Sequence, residues 1–158
     1  MANAQTTSDE ILRCARALIV RALVAQYRQE AEAGVAELER QVSDPLGQLR
    51  AYTGYWEACI MDATAPICVC ALLASQIPVL PVDVAMEVRA HFRVVSAWLT
   101  SVLERGAGQG SLRLAGPAKS EAEVFMAAVH GAMLSARAYG DPKMFGVVTR
   151  PLLQRLVP

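Results

Sequence analysis

Apolar residues recur at helical spacing along almost the whole chain, and this pattern limits the fold more than any other feature of the sequence. In the first segment they fall at positions 11, 12, 15, 18, 19, 22 and 23, which is the spacing of one face of a helix. No segment shows a convincing alternation of apolar and polar residues, which is typical of a half-buried strand. The sequence therefore predicts an all-α protein.

Proline, glycine and capping residues divide the pattern into about six helices. Thr7 and Glu10 form a capping box that predicts the start of a first helix, which runs to about Gln41. Asp44 with Pro45 predicts the start of the second helix. The remaining helices are predicted to begin at Pro66, at Val82, at Ser120 with Glu123 as a second capping box, and after Asp141 and Pro142. The stretch "GAGQGS", residues 106–111, predicts a helix end and a turn.

The stretch "ALIVRALVAQYRQE", residues 17–30, contains no glycine, no proline and no turn residue. Its apolar spacing continues from the preceding residues without a change of phase as far as Leu23. If Val20 and Arg21 are directly bonded, the residues on both sides of that bond are expected to belong to one long helix.

Length and composition favour one apolar domain. The chain has 158 residues, which suffice for a single domain with a buried core. It is 54% hydrophobic, with a mean hydropathy of +0.29, so we expect apolar surface to be hidden in a partner subunit or to line a cavity. No run reaches the roughly 18 uncharged residues of a membrane span, and the N-terminal residues do not resemble a signal peptide. With four cysteines expected to be reduced, we predict a cytoplasmic protein without membrane contact.

The charge pattern does not favour nucleic-acid binding. Fifteen basic residues balance fifteen acidic ones, whereas proteins that bind nucleic acids usually carry excess or clustered positive charge. The only candidate cluster consists of Arg13, Arg16, Arg21 and Arg28 on the first helix, and it is more typical of a solvated helix face.

The residues that carry catalysis in other proteins are scarce here. The two histidines, His91 and His130, belong to no metal-binding pattern and to no evident catalytic triad. No pair of carboxylates is placed for acid–base chemistry, and "GAGQGS" lacks the preceding strand of a phosphate-binding loop. We therefore predict no catalytic residues, no metal, no cofactor and no enzymatic activity.

Bulky side chains from the second, fourth and fifth predicted helices could close a plain core or line an apolar pocket. These are Tyr52, Tyr55, Trp56, Cys59, Trp98, Phe125, Met126, His130 and Met133. His130 alone is more typical of a hydrogen-bonded, partly buried histidine. Cys68 and Cys70 should diverge on their helix, one towards the core or a cavity and the other elsewhere. Cys68 falls in the first predicted turn, where a helix dipole would lower the thiol pKa.

The order of these segments resembles the TetR family of bacterial transcription regulators, in particular its NemR and LmrA/YxaF-like branch. The matching pieces are "TSDEILRCARALIV", "DPLGQLRAYTGYW", "CVCALLASQIP", "LTSVLERGAGQGSLRL" and "EAEVFMAAVHGAMLSARAYGDPKMFGVVTRPLLQRL". The resemblance covers nearly the whole chain. It implies an all-helical homodimer that binds operator DNA through an N-terminal helix-turn-helix and a small effector through its C-terminal domain.

The resemblance also assigns roles to residues of this chain. It implies that the last two helices form a dimeric four-helix bundle, with Ala128, Ala132, Ala136, Phe145, Val148 and Leu152 at the interface. From the residues alone, packing of these helices within one subunit is equally acceptable. The walls of the effector pocket would come from the helices that carry Trp56, Cys68, Trp98 and His130. In the NemR-like branch a cysteine at the place of Cys68 responds to electrophiles or oxidants, so Cys68 is the possible sensing thiol.

The chain departs from the family between Val20 and Arg21, where the DNA-reading helices of the family would lie. Residues 1–20 then correspond to a remnant of the first helix of the DNA-binding domain, and residues 21–158 to the effector-binding and dimerisation domain. Either the DNA-reading segment has been lost, or a further segment belongs at this point and restores operator binding. Two functions are therefore expected: the sensing part of a repressor for a small apolar or electrophilic effector, or a free-standing dimeric module that binds small molecules.

Overall fold

The computed structural model describes residues 2–62 and 67–158, and the side chains of residues 9–62 and 67–158. The described residues form six α-helices and one short 3-10 turn, and they contain no strand, so the all-α prediction is confirmed. The helices are α1 (Ala2–Gln41), α2 (Pro45–Met61), α3 (Val69–Ala74), α4 (Val82–Gly108), α5 (Ala118–Tyr139) and α6 (Lys143–Arg155), with the 3-10 turn at Ile77–Val79.

Helix α1 continues without interruption through the bond between Val20 and Arg21, as predicted. Its two halves, however, turn different sides towards the rest of the chain. Ile11, Leu18 and Ile19 are about 60% exposed, although the spacing had indicated a core face. Val24 is the first buried residue among the described side chains of α1, and it lies about 170° around the helix from the centre of that apolar stripe. From there Tyr27, Val35 and Leu38 pack against the core.

Two predicted capping boxes are wrong. Helix α1 already includes Thr7 in its interior, because it begins at Ala2. Helix α5 begins at Ala118 after Pro117, two residues before Ser120. The carboxylate of Glu123 does not cap the helix; it accepts hydrogen bonds from the Ser96 hydroxyl at 2.7 Å and from the Lys119 ammonium at 2.8 Å.

Other helix ends follow the sequence signals. The Asp44 carboxylate caps α2 by accepting a hydrogen bond from the Gly47 amide at 2.6 Å, and Pro45 is the first helical residue. Helix α4 ends in the predicted glycine-rich turn, where Gly110 adopts a φ of 71° that favours glycine. Helix α3 is shorter than predicted, since it begins at Val69 with Cys68 as its N-cap, and Pro66 lies outside the described residues.

Helix α4 lies at the centre of the fold and contacts α1, α2, α3 and α5. Its inner side is fully buried, as the heptad-like spacing of its apolar residues predicts; the buried residues include Val84, Val88, Leu99, Val102 and Leu103. On the opposite side of α4 from α1, helices α5 and α6 pack against each other. None of the described helices is long and apolar enough to cross a membrane.

The predicted interface residues on α5 and α6 mostly face the interior of their own chain. Ala132 and Phe145 are at most 1% exposed, and Ala136 and Leu152 are also buried, so these four side chains pack mainly within their own chain. Ala128 and Val148 are partly buried and pack against the same core. The small residues of α5 let α6 approach closely within one chain. Such packing within one subunit was the alternative interpretation of these residues in the sequence.

Candidate functional site

A cavity of about 360 Å³ lies between α1, α2 and α4. Its volume is within the range of pockets that hold small organic ligands. Helix α1 contributes one wall, helix α2 contributes the facing wall, and two residues of α4 close the bottom. The lining residues are Tyr27, Glu30, Ala31, Gly34, Val35, Glu37, Leu38, Gln41, Ala51, Tyr52, Tyr55, Trp56, His91 and Val95.

The floor of the cavity is aromatic and buried. Tyr52 and Trp56 are each 8% exposed, and they project from the same side of α2 because they are four residues apart. Their rings meet edge to face with centroids 6.5 Å apart. Tyr55 lies at the entrance, 61% exposed, with its ring 5.0 Å from that of Trp56. An aromatic or apolar ligand would therefore find ring faces and edges on which to stack.

His91 places an unsatisfied polar atom at this floor. The side chain is 2% exposed, and its Nδ1 has no hydrogen-bond partner. The other ring nitrogen, Nε2, lies 3.7 Å from the Cys68 Sγ. Burial, with a smaller contribution from the nearby Arg28 guanidinium, lowers the pKa of His91 to about 4, so the ring is neutral at pH 7. A buried nitrogen without a partner is costly, and His91 is one of the two α4 residues that line the cavity.

Cys68 lies behind the cavity, between two lining residues. Besides its contact with His91, its thiol lies near the Tyr27 hydroxyl. Burial raises the pKa of the Cys68 thiol above its ordinary value, and the nearby Tyr27 hydroxyl only partly offsets this. The expected lowering of this pKa by a helix dipole is therefore wrong, because Cys68 is fully buried at the cap of a helix of only six residues. Cys70 is fully buried as well, so the two thiols do not separate into a buried and an outward-facing one.

The rim of the cavity is formed by residues at helical spacing on α1: Glu30, Gly34, Glu37 and Gln41. Gly34 lies at the middle of this row, and a Cβ added there would meet nothing within 4 Å. The glycine that weakens the helix pattern in the sequence is thus the residue that leaves the entrance open.

Of the predicted pocket residues, Tyr52, Tyr55 and Trp56 line the cavity and the others do not. Phe125, Met126 and Met133 are buried in the core because α5 packs directly on α4 and leaves no space between them. Trp98 packs on Tyr52 with ring centroids 5.2 Å apart. His130 packs on Phe92 at 5.1 Å, and Cys59 is partly buried beside the same core.

Sequence reasoning missed the wall that α1 contributes, as well as His91. The available signal was the change of face along α1: after Val24 the apolar residues Tyr27, Ala31, Val35 and Leu38 form a new stripe, and Gly34 lies at its edge. A glycine in the middle of a helix commonly has a packing or functional reason. Among the described residues, no three histidine, cysteine or acidic side chains are grouped as a metal site.

Comparisons with known proteins place the chain in a family. No family model matches it, and no curated protein matches it. Among solved structures, a TetR-family transcriptional regulator from Agrobacterium tumefaciens is 55% identical with a TM-score of 0.86, and the match covers 98% of this chain and 99% of that one.

Two more distant structures share the fold. The reduced form of Escherichia coli NemR is 18% identical with a TM-score of 0.75, over 87% of this chain and 72% of that chain. The regulatory protein TetR from Rhodobacter sphaeroides is 21% identical with a TM-score of 0.78, over 95% and 87%. The family itself is shown by the similarity to the Agrobacterium protein: this chain belongs to the TetR family of transcriptional regulators.

Proposed function

We propose that this chain is the sensing part of a TetR-family repressor and that a small, mainly apolar effector binds in the α1–α2–α4 cavity. The observation that carries the proposal is an aromatic cavity of about 360 Å³ whose rim carries Glu30 and Glu37. Such a combination of apolar walls with a few convergent polar groups is typical of ligand sites. The effector would contact Tyr52 and Trp56 by stacking.

Gly34 offers a sharp test of this site. A leucine at position 34 would project into the cavity without meeting any other atom at its Cβ, and it would raise helix stability by about 0.5–1 kcal/mol because glycine is a poor helix former. We expect Gly34→Leu to abolish binding of a neutral apolar dye such as N-phenylnaphthylamine, measured by fluorescence titration, while the urea midpoint stays equal or rises.

Gly54→Leu is the matched control. Gly54 is also exposed and helical, a Cβ added there also meets nothing within 4 Å, and it does not line the cavity. This variant should gain the same helix stability and keep dye binding. Equal binding by both variants, or equal loss in both, would contradict a site at this cavity.

We also propose that the domain division lies at residue 20. Residues 1–20 would derive from the first helix of a DNA-binding head, and residues 21–158 would form the effector-binding and dimerisation domain. The outward-facing apolar stripe of Ile11, Leu18 and Ile19 supports this division, because such a stripe is expected on a helix that packs against another core.

A dimer is proposed on the outer side of α5 and α6. That side presents an exposed apolar stripe at helical spacing on α5, continued by Val147 on α6, and its residues are Val124, Ala127, Gly131, Leu134 and Val147. These residues replace the four predicted interface residues that are buried within the chain. Two such pairs could associate as a four-helix bundle.

The alternative is a free-standing dimeric module that binds small molecules and does not read DNA itself. It is favoured by α1, since residues 2–41 form one helix without the turn that a helix-turn-helix requires. Under this alternative the chain should give no sequence-dependent mobility shift with DNA at physiological salt. A shift that discriminates one operator from scrambled DNA would instead support a complete repressor.

A further inference from the structure

We propose that the cavity between α1, α2 and α4 selects flat lipophilic cations and rejects anions of the same size. This inference rests on the proposed function, in that it assumes a ligand in this cavity. The inference goes beyond the proposed function because it derives the charge and shape of that ligand from the residues at the rim and floor.

The rim carries negative charge and no positive charge. Glu30 and Glu37 are the only charged residues that line the cavity. Within the described part of the chain, Glu30 has no cation at ion-pair distance, and it accepts one hydrogen bond, from the neutral Gln26 amide at 2.9 Å. Glu37 is paired with Arg40, but the guanidinium of Arg40 lies outside the lining and is two-thirds exposed. Opposite charge at a half-shielded entrance attracts a cation and repels an anion.

Two arginines on the helices that line the cavity, Arg28 and Arg105, are already paired with carboxylates. Arg28 donates hydrogen bonds to both Glu32 and Glu87, the latter at 3.2 Å. Arg105 is paired with Glu39 at 3.0 Å and also donates to the Gln48 side chain at 2.8 Å. A carboxylate or sulfonate in the cavity would therefore find no free guanidinium to receive it.

The floor accepts a cation on ring faces. Tyr27, Tyr52, Tyr55 and Trp56 surround the space with four aromatic rings, and the negative face of such rings attracts a cation, most strongly for tryptophan. His91 does not oppose this, because burial keeps its pKa near 4 and its ring uncharged at pH 7.

Three naphthyl compounds with the same ring and different charges would test the selection. The cation is naphthylmethyl trimethylammonium, the neutral compound is naphthylmethanol, and the anion is naphthalenesulfonate. Calorimetric titration of the full chain should give the tightest binding for the cation and the weakest for the anion, with a cation-to-anion ratio of about tenfold or more.

The source of the selection is tested by Glu30→Gln. Glutamine keeps the size and the helix propensity of the side chain, and it removes the unpaired charge, so we expect the cation-to-anion ratio to fall by about threefold to tenfold. Glu104→Gln is the control, because Glu104 is exposed on α4, outside the lining, and the substitution changes the net charge by the same amount. That variant should leave the ratio unchanged.

Failure of the ligand class and failure of the site give different results. If the three compounds bind equally, or the anion binds best, the charge selection is wrong while the cavity remains a site, provided that Gly34→Leu blocks binding. A ratio that is unaffected by Glu30→Gln also overturns the selection by the rim. If no compound binds, or Gly34→Leu has no effect on binding, the cavity is not the ligand site and the proposed function fails with it.

Discussion

Burial decides the chemistry of single side chains around the cavity. Cys68 and His91 face each other at 3.7 Å, and such a pair elsewhere forms a thiolate and an imidazolium. Here burial acts in opposite directions on the two groups, since it raises the pKa of the thiol and lowers that of the ring to about 4. Both groups are therefore neutral at pH 7. A sensing role for Cys68 stays a prediction, and it would require an opening of the site that exposes the thiol.

The reactivity of the four cysteines follows from this. Cys14 is exposed, Cys59 is partly buried, and Cys68 and Cys70 are buried. In the native chain, iodoacetamide should modify Cys14 at least about tenfold faster than Cys68, because reaction needs an accessible thiolate. Mass spectrometry of peptides at successive times measures the order, and a urea-unfolded sample in which all four react supplies the control. Alkylation of Cys68 as fast as Cys14 would show that the thiol is already accessible.

At the scale of elements, α1 is one helix with two apolar sides. Residues 11–23 turn their stripe to solvent, and residues from Val24 onward turn theirs to α4 and α2. A helix that evolved against a single core carries one stripe. A junction of two originally separate helices would produce such a change of apolar side next to the Val20–Arg21 bond.

The two stripes should differ in their contribution to stability. Leu18 is 59% exposed and Val24 is 2% exposed. We expect Leu18→Gln to change the free energy of unfolding by less than about 0.5 kcal/mol, whereas Val24→Ala should lower it by about 1–3 kcal/mol through the cavity that it leaves. Urea denaturation of both variants measures the difference. A loss in Leu18→Gln as large as that in Val24→Ala would mean that the outer stripe is covered.

The helices and the apolar side of α4 could be predicted from the sequence, because apolar spacing and turn residues act locally. The starts of α1 and α5 could not. Thr7 and Ser120 both have an acidic residue three positions later, but Glu123 binds Ser96 and Lys119, and such a tertiary partner is invisible in a local motif.

The sequence indicated bulky residues that could line a pocket or close a core, and only some of them line the cavity. These are Tyr52, Tyr55 and Trp56 of α2, whose role in effector binding stays a prediction. Phe125 and Met133 were candidates for the same reason and lie in the core instead. Whether facing side chains enclose space or fill it depends on the separation of the helices, and periodicity within one helix carries no information on that separation.

At the scale of the whole molecule, the described residues of α5 and α6 present apolar side chains without a partner in this chain. Val124, Leu134 and Val147 are 43–60% exposed there. The neighbouring Gly131 has open space above it, so the backbone of a second helix could approach closely. Apolar patches of this kind commonly mark subunit interfaces.

Association through this surface is tested by Leu134→Arg. An arginine at the centre of an apolar interface would be desolvated without a partner, so we expect this variant to be monomeric at micromolar concentration in sedimentation or light-scattering measurements. Met86→Arg is the control, since Met86 is 59% exposed on α4 and lies away from α5 and α6. A monomeric parent chain, or a Leu134→Arg variant that stays dimeric, would contradict the proposed interface.

The continuity of α1 has a mechanical consequence. A helix of 40 residues is about 60 Å long at 1.5 Å per residue, and it meets the cavity only in its second half. Gly34 and Ile11 are therefore separated by roughly 35 Å of stiff rod. A tilt of about 5° at the cavity rim would sweep the far end through about 3 Å. A small change in the tilt of α1 at the rim of the cavity would therefore produce a larger displacement at the N-terminal end of the same helix.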